Sequence, residues 1–106
     1  MIAMKLLRLY TDEAAYFGDR KVYDEVAVRA RAAGLAGATV LQALIGFGRT
    51  AHVHGRHLLD ADRSVVIEIV DEEGALRAFT ESLRDIPHLG LITLEAVEVL
   101  WRAEAK

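Results

Sequence analysis

Apolar residues in this chain switch between strand-like and helix-like spacing in the order βαββαβ, which confines it to one sheet with two helices laid on one face. Val65-Val66-Ile67-Glu68-Ile69-Val70 is the clearest strand, inside a stretch expected from Ser64 to Val70. The first strand is expected over Ala3 to Tyr10, with Leu7 and Leu9 on one face and Met4, Leu6 and Tyr10 on the other. A second strand is expected over Ala38 to Phe47, apolar at both parities apart from Thr39 and Gln42, and a last one over Leu91 to Arg102. Helix one is expected over Val22 to Ala33, with a stripe of Tyr23, Val26, Ala30 and Ala33 and with Gly34 suited to its C-terminal cap. Helix two follows Asp71, an expected N-cap, buries Leu76, Phe79, Leu83 and Ile86, and stops at Pro87. The whole chain, residues 1–106, is expected to be a single α+β domain with an antiparallel four-stranded sheet.

A sheet with helices on one side leaves its other side bare. Met4, Leu6, Tyr10, Leu44 and several residues of Ile92 to Trp101 put apolar groups there, so cover by other copies of the chain is expected.

Composition narrows the function classes. At 106 residues a chain hides roughly two-thirds of its unfolded surface, enough for a core without staples. The absence of Cys removes disulfides, thiol nucleophiles and cysteinyl metal sites, and it fits a reducing cytoplasm, the expected location. Thirteen Lys and Arg against sixteen Asp and Glu argue against a nucleic-acid coat or a polybasic membrane anchor. The opening segment carries charge within its apolar stretch and lacks a small-residue cleavage pattern, so a signal peptide is not expected. No apolar run is long enough to span a bilayer, and membrane insertion is not expected either.

The connection from Gly46 to Asp62 is long for a compact domain, and long loops tend to carry function. Gly46 and Gly48 free the backbone to present amides, while Arg49 and Arg56 add fixed positive charge, a combination suited to an anion such as phosphate. Gly46-x-Gly48-x-x-Ala51 matches the dinucleotide fingerprint, with Asp71 downstream. The following segment lacks helical period and contains Gly55, so the context fails. His52, His54 and His57 in the same loop form an alternative, metal-binding set for zinc, copper or nickel. Thr11 to Lys21 forms a second long connection, acidic early and basic late, with Asp19 or Asp24 as expected partners of Arg20 and Lys21 and an anion at the N-terminus of the following helix as the alternative. Pro87-His88-Leu89-Gly90 reads as a tight turn. No Walker loop, nucleophile elbow or zinc-protease motif occurs, and Ser64 and Ser82 have no evident base, so an enzyme is not expected.

Three groups of residues carry a resemblance that spans nearly the whole chain. They are Gly18-Asp19-Arg20-Lys21-Val22-Tyr23-Asp24-Glu25, then Gly34-Leu35-Ala36-Gly37-Ala38-Thr39-Val40-Leu41 with Gly46-Phe47-Gly48, then Val65 to Val70 with Asp71 and Leu91 to Glu95 with Val97 and Val99. In these the chain resembles the PII-like domain-of-unknown-function family DUF190, related to the nitrogen regulatory PII signalling proteins. The resemblance implies a ferredoxin-like βαββαβ fold and a homotrimer. It also implies an effector, an adenine nucleotide in PII proteins, bound between subunits near the base of the long loop. Here that site would use Gly46, Phe47, Gly48, Arg49, Arg56 and Gly90. The loop from Phe47 to Asp62 would contact a regulated partner, a membrane transporter or channel in PII systems. Two departures from PII are visible: Leu91 stands near the place of a phosphate-binding lysine, and no Tyr lies between Phe47 and Asp62 for modification. The related divalent-cation-tolerance proteins are the family counterpart of the histidine alternative.

Overall fold

The computed structural model describes residues 3–43 and 63–103. Its main sheet contains β1 (Met4–Asp12), β4 (Thr39–Gln42), β5 (Ser64–Glu72) and β6 (Leu91–Ala96), in the order β4-β5-β1-β6 with every neighbouring pair antiparallel. Helices α1 (Val22–Ala32) and α2 (Glu73–Glu81) make the crossovers. Each crossover skips one strand: β1 and β4 flank β5, and β5 and β6 flank β1. This interleaving of two split βαβ units is the ferredoxin-like arrangement.

Strand parity sorts the two faces. Leu7 and Leu9 of β1 and Val65, Ile67 and Ile69 of β5 are buried beneath the helices. They meet Val22, Val26 and Ala30 from α1, with Leu76 and Phe79 from α2 and Leu83 and Ile86 from the turns after it. The expected stripe of the second helix is therefore complete. Its last two members sit in tighter turns, with Leu83 N–H donating to Thr80 O and Ile86 N–H to Leu83 O, before Pro87. The stripe of α1 keeps Val26 and Ala30 as expected and differs at its two ends. Val22 is fully buried, Tyr23 only partly, and Ala33 is the exposed C-cap.

Gly34 closes α1 as expected. It adopts φ +80°, its N–H donates to Arg31 O, and Leu35 N–H donates to Ala30 O. That pair of bonds is the Schellman motif, and Leu35 packs against the core beside it.

Several boundaries differ from the sequence expectations. The connection from Thr11 to Lys21 contains a hairpin, β2 (Tyr16–Phe17) with β3 (Arg20–Lys21), turning through Gly18 at φ +65° and Asp19. Lys21 pairs with Glu13 rather than Asp19 or Asp24, at 2.9 Å, and its ammonium lies over the Tyr16 ring. Arg20 pairs with Glu25 at 3.1 Å. Asp71 does not cap α2. The N-cap is Glu72, and the Asp71 carboxylate accepts N–H bonds from Glu72 and from Ala36 in the loop after α1. Carboxylates readily take backbone donors from whichever segment packs nearby, and here the tertiary contact claims Asp71. The last strand ends at Ala96, because β1, its partner in the sheet among the described residues, begins at Met4. The second strand is described as Thr39–Gln42, and its expected continuation through Phe47 lies outside the described residues. Among the described residues no helix is long and apolar enough to cross a membrane.

Arg29 ties α1 to the turn after α2. Its guanidinium donates to both Asp85 oxygens at 2.8 Å, to Glu25 at 2.8 Å and to Ser82 O at 3.1 Å, and it covers the Phe17 ring. The hydrogen bonds from Arg29 hold the Asp85 carboxyl below its ordinary 3.8. A depressed folded-state value means that the unfolded chain takes up the proton first on acidification. The contribution is thus present above pH 3.8 and lost as the pH falls through the folded value. Asp85→Asn is expected to lower the midpoint of urea unfolding at neutral pH and to flatten its decline toward acid. An equally steep decline in the variant would remove Asp85 from the account.

Candidate functional site

The register of the sheet gathers one end of the molecule. β1 finishes there, with Asp12 opposite Ser64, and β4 finishes there, with Gln42 opposite Val65. β6 starts there, with Leu91 opposite Tyr10. The two roots of the 44–62 connection are held side by side, Ala43 N–H donating to Ser64 O at 2.8 Å. Glu13 N–H donates to Arg63 O at 2.7 Å, which brings the base of the β2–β3 hairpin against the same root. The Gly34-Leu35-Ala36-Gly37 loop stands at the opposite end of the sheet, where Ala36 is bound by Asp71.

The turn before β6 is built into this end by two bonds to β1. Gly90 N–H donates to Tyr10 O at 2.9 Å, and the Thr11 hydroxyl donates to His88 O at 2.7 Å. Thr11 shares the inward parity of Leu7 and Leu9 and is the one buried polar residue among those described. A hydroxyl in that position needs a partner, and the carbonyl of the turn supplies it. Holding that carbonyl inward leaves His88 at φ +68°, in the left-handed region that costs a β-carbon-bearing residue energy. Its side chain is exposed.

Of the expected ligand residues, Gly90 is placed, at this end of the sheet. Gly46, Phe47, Gly48, Arg49 and Arg56 lie outside the described residues, as do His52, His54 and His57. Among the described residues no group of three or more His, Cys, Asp or Glu is positioned to hold a metal ion. The described cations at this end are engaged: Lys21 donates to the Glu13 carbonyl and to the Glu13 carboxylate, whose hydrogen bond raises the Lys21 pKa, and Arg63 also has an interaction partner.

Three features escape the sequence reading. The hairpin has a signal in retrospect, because Gly18-Asp19 between Tyr16-Phe17 and Arg20-Lys21 is the Gly-X pattern of a two-residue turn. Thr11 has one too, as a polar residue continuing a buried parity. The left-handed His88 has none, since it follows from which carbonyl Thr11 captures.

Comparison with known proteins bears on this arrangement. Residues 4–99 match the family described as Uncharacterized ACR, DUF190. The chain belongs to the DUF190 family. A UPF0166 protein of Aquifex aeolicus (strain VF5) is 40% identical over 103 residues, which cover 95% of this DUF190 chain and 97% of the relative. The fold is shared with solved structures of low identity. CPII from Thiomonas intermedia K12, bound to ADP and bicarbonate, aligns with a TM-score of 0.69 at 21% identity over 91% of this chain and 87% of its own. A putative PII-like signalling protein from Thermus thermophilus gives 0.62 at 16% identity, covering 91% and 88%. B. subtilis GlnK gives 0.58 at 17%, covering 90% and 85%. The DUF190 chain thus has the ferredoxin-like fold of PII-like proteins.

Two substitutions test how the turn is held. Thr11→Val removes the bond to His88 O and is expected to lower stability by about 1 kcal/mol. His88→Gly relieves the left-handed backbone and is expected to raise it by about 0.5–1 kcal/mol. Urea denaturation of both variants checks the opposite signs, and a loss of stability in His88→Gly would contradict the strain.

Proposed function

We propose that this chain is a non-enzymatic PII-like sensor that assembles as a homotrimer through its open sheet faces. It binds a small anionic effector, an adenine nucleotide, in clefts between subunits. The binding set is Gly46, Phe47, Gly48, Arg49, Arg56 and Gly90, with the two arginines neutralising phosphate, Gly46 and Gly48 presenting backbone amides, and Gly90, whose N–H is taken by Tyr10 O, lining the cleft without a side chain. The regulated partner is a membrane transporter or channel, contacted by the loop from Phe47 to Asp62, in a cytoplasmic setting.

The observation that carries this proposal is the meeting, at one end of the sheet, of the roots of the 44–62 connection with the turn containing Gly90. Residues far apart in sequence converge there, and the ADP-bound structure of the same fold supports adenosine diphosphate as the ligand to try first. Effector binding would favour one arrangement of the loop over others and so present or withdraw a partner surface without catalysis.

Thermal unfolding with ADP, ATP and AMP tests the proposal. A ligand at one hundred times its dissociation constant is expected to add about 2.7 kcal/mol of stability. Arg49→Ala and Arg56→Ala should each remove most of that gain while leaving the melting temperature of the ligand-free protein in place. Absence of stabilisation by any of the three at millimolar concentration would overturn nucleotide sensing. Native mass spectrometry of untreated protein reports the subunit number and any co-purified effector together.

A further inference from the structure

After Ala96 the chain leaves the sheet and continues through residues 97–103 without secondary structure. Leu100 is 89% exposed and Trp101 83%, more than any other large apolar residue among those described. The tail departs at the end of the sheet where β1 begins, with Val97 N–H donating to Met4 O, so no further residues of β1 extend beside it. A Trp and a Leu left in water side by side are the residues an interface would bury first, and a Trp alone hides about 150–250 Å² of surface.

The bare face of the same sheet has matching chemistry. Outward parity puts Met4, Leu6 and Tyr10 of β1, Val66 and Val70 of β5, Leu41 of β4 and Leu91 of β6 on it. At its centre Arg8 donates to Glu68 at 3.0 Å and to Glu95, which holds the guanidinium above its ordinary pKa. Beyond the two carboxylates bound to Arg8, Asp12 of β1 and Glu72 of β5 share that outward parity, so the described strand residues of the face carry four carboxylates against one guanidinium. Glu95 is the more open of the two bound to Arg8. Beside Trp101 stands Arg102, which has no ion pair among the described residues. The tail therefore offers an apolar pair and a cation with no ion pair among the described residues, and the face offers apolar surface with carboxylate charge in excess.

We propose that the tail of one copy docks on the open sheet face of a second copy, with Leu100 and Trp101 on its apolar rim and Arg102 directed to Glu95. This rests on self-association through that face and adds what seals it. Each copy both gives a tail and receives one. Such a head-to-tail contact closes into a ring when the rotation between copies permits.

Trp101 is the chain's only tryptophan, so its fluorescence reports the tail directly. The full chain is diluted in steps while its mass is followed by sedimentation and Trp101 emission and acrylamide quenching are recorded. The assembly should show blue-shifted, quencher-shielded emission, and both signs should vanish together with the assembly on dilution. Leu100→Ser and Arg102→Glu should each weaken assembly about tenfold or more, with the Arg102 variant also losing part of the salt dependence. Both residues are exposed in the single chain, so the circular dichroism of the diluted variants should match that of the diluted parent. A stable assembly with water-like Trp101 emission would overturn the docked tail and leave self-association standing. Blue-shifted emission that persists in a diluted monomer would overturn it in favour of docking on the tail's own chain. A monomer at every concentration would overturn the tail and the homotrimer alike, whereas failure of nucleotides to stabilise the protein would leave both untouched.

Discussion

β1 is hydrogen-bonded along both edges, to β5 from Met4 to Asp12 and to β6 from Lys5 to Tyr10, so its residues decide what each face of the sheet is made of. Leu7, Leu9 and Thr11 point under the helices, while Leu6, Arg8 and Tyr10 point away from them. A shift of one residue in this strand would bury Arg8 in the helical core and expose both leucines. The cost of an unpaired buried guanidinium excludes that register. In the observed register Arg8 lies between Glu68 and Glu95 on the open face, supplied by the two neighbouring strands. A single alternation in β1 therefore specifies the core, the open face and the register of its neighbours.

The same strand organises the candidate site. Its last two residues before Asp12 hold the turn at 87–90, Tyr10 through a carbonyl and Thr11 through a hydroxyl, and Asp12 lies opposite Ser64 at the root of the long connection. The β2–β3 hairpin adds a third segment by way of Glu13 and Lys21. The described part of this end is thus a strand terminus with the turn and hairpin bound to it, the kind of scaffold on which proteins mount binding loops.

The parts of the structure legible in the sequence are those governed by period and by local backbone chemistry. The parity of Leu7 and Leu9, the Leu76, Phe79, Leu83 and Ile86 stripe, and the Gly34 terminus each depend on residues within a turn or two of one another. Asp71 departs from its expected capping role because its carboxylate answers to Ala36, thirty-five residues earlier, and no local pattern records that contact. The two-residue strands Tyr16–Phe17 and Arg20–Lys21 are too short to have a period at all. At the candidate site, Gly90 is legible as a turn residue, whereas its attachment to Tyr10 requires knowing the register of β1 against β6. The central ion pairs of the open face are likewise hidden, since Arg8, Glu68 and Glu95 meet only once three strands are aligned. Periodicity makes that face greasy throughout, and the structure makes it charged at its middle.

The skipped-strand crossovers also set an order of events during synthesis. Residues of β1 emerge early, yet Asp12 must wait for Ser64, and Lys5 for Ala96, before either hydrogen-bonding edge is satisfied. Until then the nascent chain holds an alternating leucine strand with two open edges, the kind of segment that invites pairing with a stranger. Closing such long loops makes for slow folding relative to helical chains of equal size. Arg8 and Lys5, set among the leucines, keep positive charge on that waiting strand and make unwanted stacking less favourable.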